Sequence, residues 1–232
     1  MPERKLPLLL LGLSVTLLLA LTPFPVHATS ALVQQNNEGC LGCSSTLSVS
    51  FTNYVASGDV IVVGVVVADA SFVLNSITDS LRSTFSQAVA SVNSPPPTVY
   101  IYYATLPANG AETVTATFSA AAPAEDIYIY EISGVTTVGL ATATGSGMGT
   151  SISTSSLISF QPGAFLLGII GTNNFGGTAT AGTGFTLSTD NSGTGVTYAQ
   201  YSISGASSPT SFQATAHSTV SWAEDGLALM PG

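Results

Sequence analysis

The residues best suited to chemistry are few, and two of them stand together. NNEGCLGCSS holds the chain's only cysteines, Cys40 and Cys43. A C-x-x-C pair can be a redox couple, half of a metal site or a small staple. Structural zinc wants about four ligands, and with one histidine left after the N-terminal 28 residues the chain could offer at most three from Cys and His. A redox couple wants a helix N-terminus or a nearby cation to hold the thiolate, and neither is evident here. The expected state is a disulfide formed after export, within the chain or between chains. It sits at the point where an N-terminal strand ends and the body begins, so its expected role is a hinge.

Acidic residues recur in a pattern. Glu125–Asp126 and Glu224–Asp225 occupy matching places in AEDIYIYEI and AEDGLALMP. They are read as solvated acids at strand starts or, with Asp190 of TDNSGTG, as Ca²⁺ ligands, since hard cations collect carboxylate and carbonyl oxygens. Glu131 shares a strand face with Ile127 and Ile129, so partial burial is expected. A buried carboxylate needs a partner, and Arg82 is expected to pair with Glu131 or with Asp79. The aromatic residues Tyr100, Tyr102, Tyr128, Tyr130, Tyr198 and Trp222 are candidates for stacking on sugar. They fit equally well as ordinary cross-strand partners in sheets. His217 in QATAHSTVSW has no G-x-S-x-G elbow to go with it, and reads as a turn residue. Catalysis and cofactors are not expected, with Ca²⁺ as the one alternative.

Composition narrows the partners. MPERK, an apolar run from Leu6 to Leu21 and TPFPVHA form a three-part secretory signal, with cleavage expected after Ala28. A spanning anchor would need roughly 20 apolar residues, and Pro23 and Pro25 interrupt this one. The expected location is therefore outside the cell or at its surface, with no membrane attachment after cleavage. Of the 3 cations only Arg82 lies beyond residue 28, against 12 acidic residues in the whole chain. Nucleic acid and anionic membranes are excluded as partners, because both need clustered Lys and Arg. A surface wetted by Ser, Thr, Asn and Gly changes little when carboxylates protonate, so tolerance of acid is expected.

No helix is expected after residue 28. Short β-rich runs alternate with Gly, Pro, Asn and Ser, the pattern of a sandwich or jelly roll. A weak repeat runs through them. SGDVIVVGVVV (57–67) is echoed by PGAFLLGIIGT (162–172), PTVYIYYATL (97–106) by GVTYAQYSIS (195–204), and AEDIYIYEI by AEDGLALMP. The expected fold is an all-β, jelly-roll-like antiparallel sandwich built from two pseudo-repeated halves, about 45–135 and 150–232, in one domain spanning 45–232. Residues 29–44 form an N-terminal strand and hinge, and the low-complexity stretch 139–156 joins the halves through edge strands. VIVVGVVVA and AFLLGIIGT do not alternate, so both faces of each must be dry. Either loops of the same subunit cover them, or a second copy does.

ALVQQ (31–35), SGDVIVV (57–63), ITDS (77–80), IYYA (101–104), TVTATFS (113–119), EISGV (131–135) and GTGFTL (182–187) together resemble a secreted β-sandwich domain widespread in bacteria and archaea. That resemblance implies a fold and no particular activity. A looser similarity is to subunits of archaeal surface filaments, whose N-terminal strand inserts into the next subunit. It implies self-assembly into a homopolymer by strand donation, with TSALVQQNN as donor and Ala31, Leu32, Val33 and Gln34 as its side chains. Ala31 and Val33 would enter on one face and Leu32 on the other. The chain departs from glycosylated thread-type filaments in having no N-x-Ser/Thr sequon. The expected function is thus a structural subunit of an extracellular filament, pilus or surface assembly. A carbohydrate-binding adhesive module that recognises polysaccharide through the tyrosines is the alternative, and a secreted hydrolase a weaker one. An unpaired N-terminal strand beside an empty groove would favour the filament. A strand packed home in its own subunit would favour a monomeric binder.

Overall fold

A computed structural model describes residues 29–42, 44–91, 97–121, 124–155, 160–174, 177–188, 197–204 and 210–232. Residues 1–28, Cys43 and Asp190 lie outside these residues. The described chain is all-β and antiparallel. Its first half contains β1 (Ala31–Leu41), β2 (Thr46–Ser50), β3 (Val60–Val67), β4 (Leu74–Asp79), β5 (Ser86–Ser91), β6 (Thr98–Thr105), β7 (Thr113–Phe118) and β8 (Ala124–Ser133). The second contains β9 (Val135–Ser153), β10 (Phe165–Thr172), β11 (Ala179–Ala181), β12 (Thr186–Leu187), β13 (Thr197–Ile203) and β14 (Gln213–Pro231).

Each half is a sandwich, and the two are built alike. In the first, a five-stranded sheet of order β1-β8-β3-β6-β5 faces a small sheet of order β2-β7-β4. In the second, β9, β14, β10, β13 and β12 follow one another in the corresponding order. Ile169 of β10 lies between Ala199 and Asp225 as Val66 of β3 lies between Val99 and Asp126. The small outer sheet of the second half has no strands wholly of its own. The start of β14 bends away and pairs with the end of β9 on one side and with β11 on the other. The break in register between Thr215 and Val220 makes this bend. Gln213–Pro231 nevertheless runs on as one strand through the bend.

The two large sheets pack back to back. Val60, Val62, Val66, Ile101 and Ile132 meet Phe165, Leu167, Ile169, Leu227 and Leu229 in a shared central cluster. Ile61, Val63, Val65 and Val67 point the other way, into a cluster closed by the small sheet. Hence all eight residues of β3 are buried, as are all eight of β10. The dry faces expected from VIVVGVVV are real, but their cover is neither loops nor a second copy. It is a small sheet on one side and the other half of the chain on the opposite side. Burying each Val or Ile in this way stabilises by roughly 1.5–3 kcal/mol.

Glycines make room where side chains cross this stack. Gly168 and Gly226 are register partners, and the Phe212 ring lies over both. A Cβ at Gly226 would come within 2.2 Å of that ring and one at Gly168 within 2.9 Å. Phe212 is itself fully buried, so it cannot move aside. Gly226→Ala is expected to destabilise the protein by about 1–3 kcal/mol through overpacking. A lower urea midpoint at unchanged slope is the readout.

Candidate functional site

The two acidic pairs are not solvated: Glu125, Asp126, Glu224 and Asp225 are each 0% exposed. Strand parity explains where they go. Asp126 and Asp225 continue the inward series of Tyr128 and Tyr130 on β8 and of Leu227 and Leu229 on β14, so both face the layer between the halves. There one oxygen of each accepts from a hydroxyl of the opposite half. Thr197 Oγ1 of β13 donates to Asp126 Oδ2 at 2.6 Å, and Ser91 Oγ of β5 donates to Asp225 Oδ1. The two contacts are reciprocal, so the repeat acts as a pair of ties across the central interface. Glu224 points outward from β14 and accepts from Gln200 Nε2 at 2.7 Å. Neither carboxyl oxygen of Glu125 has a hydrogen-bond partner among the described residues.

The acids share no metal-binding geometry. Among the described residues no group of three or more His, Cys, Asp or Glu is placed to hold an ion, so the Ca²⁺ reading of the two pairs is not supported. The expectation of solvated turn acids is also corrected. It failed because the ends of β8 and β14 are overlaid by the opposite half. Burial is the main cause of the upward shifts in their pKa values, to about 7 for Glu125 and Asp225 and about 8 for Glu224. At Asp225 the Ser91 bonds offset part of this, and at Glu224 the Gln200 bond does the same.

Glu131 is fully buried, but Arg82 does not meet it. Gln34 Nε2 of β1 donates to its Oε2 at 2.6 Å and the Ala56 N–H to its Oε1 at 2.7 Å. Asp59 lies close by, and burial together with Glu131 raises its pKa. Arg82 is exposed on a left-handed turn with φ 63°. Asp79 takes the Ser83 N–H on Oδ1 at 2.7 Å, and its Oδ2 has no partner. The expected ion pair is therefore absent on both counts, because polar neutral groups near in space reached Glu131 first.

The tyrosine platform does not exist. Tyr128 and Tyr130 are 1% and 0% exposed. They cross the central layer to bond Thr197 O at 3.3 Å and Ser188 Oγ at 2.7 Å. Tyr100 and Tyr198 are buried, and Trp222 lies against Gly147 of β9, where its ring would meet an added Cβ at 2.9 Å. Only Tyr102 is partly open, and its hydroxyl donates to Gln87. These are the cross-strand partners of the plainer reading. His217 is exposed, with both ring nitrogens on threonine hydroxyls, Thr178 at 2.8 Å and Thr180 at 3.0 Å. No nucleophile and orienting carboxylate flank it in that arrangement.

At the N-terminus, β1 pairs with β8 of its own subunit from Ala31↔Ser133 to Leu41↔Ala124. Leu32 packs on the central cluster, Gln34 holds Glu131, and Ala31 and Val33 are exposed. The inserted side chains expected at Ala31 and Val33 are thus corrected. A register shift between Leu32 and Gln34 turns this part of the edge strand outward. Cys40 is disulfide-bonded and partly buried against the first outer cluster, opposite Glu125 in the ladder. Cys43, its only possible partner within the chain, lies outside the described residues.

Four residues that matter here belong to none of the sequence motifs: Ser91, Thr197, Gln200 and Glu112. Glu112 was legible by parity, since it continues the inward series Val114, Ala116 and Phe118. The other three have partners on distant strands, and no local signal marks them. No family model matches the chain, and no curated protein or solved structure matches it either.

These acidities fix the direction of the pH response. Asp225, Glu224, Glu125 and Glu112 have folded values of about 7 to 8, against roughly 4 for a free carboxyl. The folded state holds protons that the unfolded chain releases. Their contribution is complete below about pH 4 and is lost as pH rises through about 7 to 8. The thermal midpoint is expected to fall between about pH 5 and pH 9, and Glu224→Gln should flatten that fall. A midpoint that rises over this interval would contradict the assignment.

Proposed function

We propose that this chain is a secreted structural protein, a building block of an extracellular filament or surface layer that joins its neighbours through β1. The observation that carries this reading is the place of β1 in the fold. It is the edge strand of the first half's large sheet and the first strand of the chain's fold, held by a long backbone ladder along β8. Its counterpart β9 lies at the matching edge of the second half but is tied into the chain at both ends. So β1 can be released without unravelling either half, whereas β9 cannot.

In the single chain β1 is packed home, the arrangement expected of a monomeric module. Assembly is then an exchange in which β1 leaves its own β8 for that of a neighbour. The same contacts form in the closed monomer and in the polymer, so exchange has a small net cost. Backbone pairing supplies affinity, while Leu32 and Gln34 supply the register. The sugar-binding alternative loses its support, because its proposed aromatic platform is buried.

Electron microscopy and light scattering on the secreted protein test the reading. Fibres or ordered oligomers are expected for the full mature chain, and monomers for a Δ29–37 variant. A full-length protein that stays monomeric at every concentration, or a truncated one that assembles equally well, would overturn it.

A further inference from the structure

The turn after β4 and the residue before β7 bring together two carboxylates that no cation among the described residues neutralises. Glu112 is 1% exposed. Its Oε2 accepts from Ser80 Oγ at 3.3 Å, while its Oε1 is buried without a hydrogen-bond partner. Asp79 Oδ1 accepts the Ser83 N–H, while its Oδ2 and the Ser83 hydroxyl are likewise buried and unpartnered. Asp79 stands opposite Val114 in the β4–β7 ladder, two residues from Glu112 on the same buried face, so the two carboxyls are near neighbours.

We propose that Asp79, Glu112 and Ser83 form a binding site for a single hard divalent cation, Ca²⁺ by preference. Three unsatisfied oxygens, two of them from carboxylates, suit an ion that takes oxygen ligands alone and tolerates irregular geometry. Water would complete the shell, as is common at extracellular sites of modest affinity. A soft or nitrogen-loving metal finds nothing here, since neither histidine nor cysteine is among the three. The unpartnered Glu112 oxygen is the independent pointer. A carboxylate buried to this degree needs a counter-charge, a proton or a donor, and its Oε1 has none of these from the protein. Arg82 of the same turn does not serve, because it is exposed and lines a separate groove with Tyr103, Thr105 and Pro107.

The site has a structural consequence. Asp79 ends β4, and Glu112 leads into β7, so an ion between them clamps two neighbouring strands of the small outer sheet. That sheet closes the first outer cluster. Burial, with the Asp79 charge second, raises the Glu112 pKa to about 7 in the ion-free protein. Ion and proton therefore compete for the same oxygens.

Calorimetric titration of the full mature chain with CaCl₂ at neutral pH, alongside thermal melts, tests the site. A saturable single-site isotherm is expected, with a melting midpoint that climbs with Ca²⁺ and binding that weakens at acid pH. Affinity should fall roughly ten-fold or more in Asp79→Asn and Glu112→Gln, and less in Ser83→Ala. The proposal is overturned if no binding is seen up to roughly 10 mM, beyond the range of most extracellular modules. It is overturned equally if binding survives unchanged in Glu112→Gln or, should that variant not fold, in Ser83→Ala.

Discussion

Two large sheets meet back to back, and the rest of the molecule follows from that contact. A sheet that buries one face normally leaves the other to solvent. Here the shared layer takes one face of each large sheet, so each needs a second cover on its outer side. The first half supplies β2, β4 and β7 for this purpose. The second half obtains the same cover by bending β9 and β14 out of their own sheet. Both solutions leave β3 and β10 dry on both faces, which accounts for sequences with no alternation.

The same contact governs the charges. A chain almost without cations cannot neutralise buried acids by ion pairing, yet it buries Glu112, Glu125, Asp126, Glu131, Glu224 and Asp225. Hydroxyls, amides and protons take over that task. Thr197 and Ser91 hold the two aspartates across the central layer, and Gln34 and Gln200 hold Glu131 and Glu224. Hydrogen bonds from neutral donors leave a carboxyl free to be protonated, whereas an arginine would fix it as an anion. An interior built this way favours acid, which agrees with the direction expected from the surface composition.

The all-β class and the dry faces of β3 and β10 were legible because they depend on local pattern: VIVVGVVV admits no wet face. The matching of β8 with β14 was visible in the paired AED stretches. What covers those strands was not legible, because Phe165, Leu167 and Leu229 lie far along the chain from Val62 and Val66. The acids were misread for the same reason. Glu125 and Asp126 stand at a strand start, a place that is usually wet, and only the overlying half makes it dry. The ion pair failed because Arg82 was judged by scarcity, while Glu131 is reached by Gln34 and by a backbone N–H through the fold of β1. The tyrosines were correctly placed on strand faces, but the depth of those faces depended on the stacking of the halves.

The place of β14 in its sheet bears on how the molecule comes into being. It lies between β9 and β10, and its first residues also hold β11. Synthesis delivers it after all three, so those strands wait without their central neighbour. Contacts of such long sequence separation close slowly, and the waiting segments carry no charged residue from Ile132 to Thr189. Open edges of that kind pair readily with other chains. The first half, whose strands are all delivered before β9, can already be folded by then and can offer β10 a finished surface on which to settle. Order of synthesis thus gives the two similar halves different parts, one as template and the other as the piece assembled upon it.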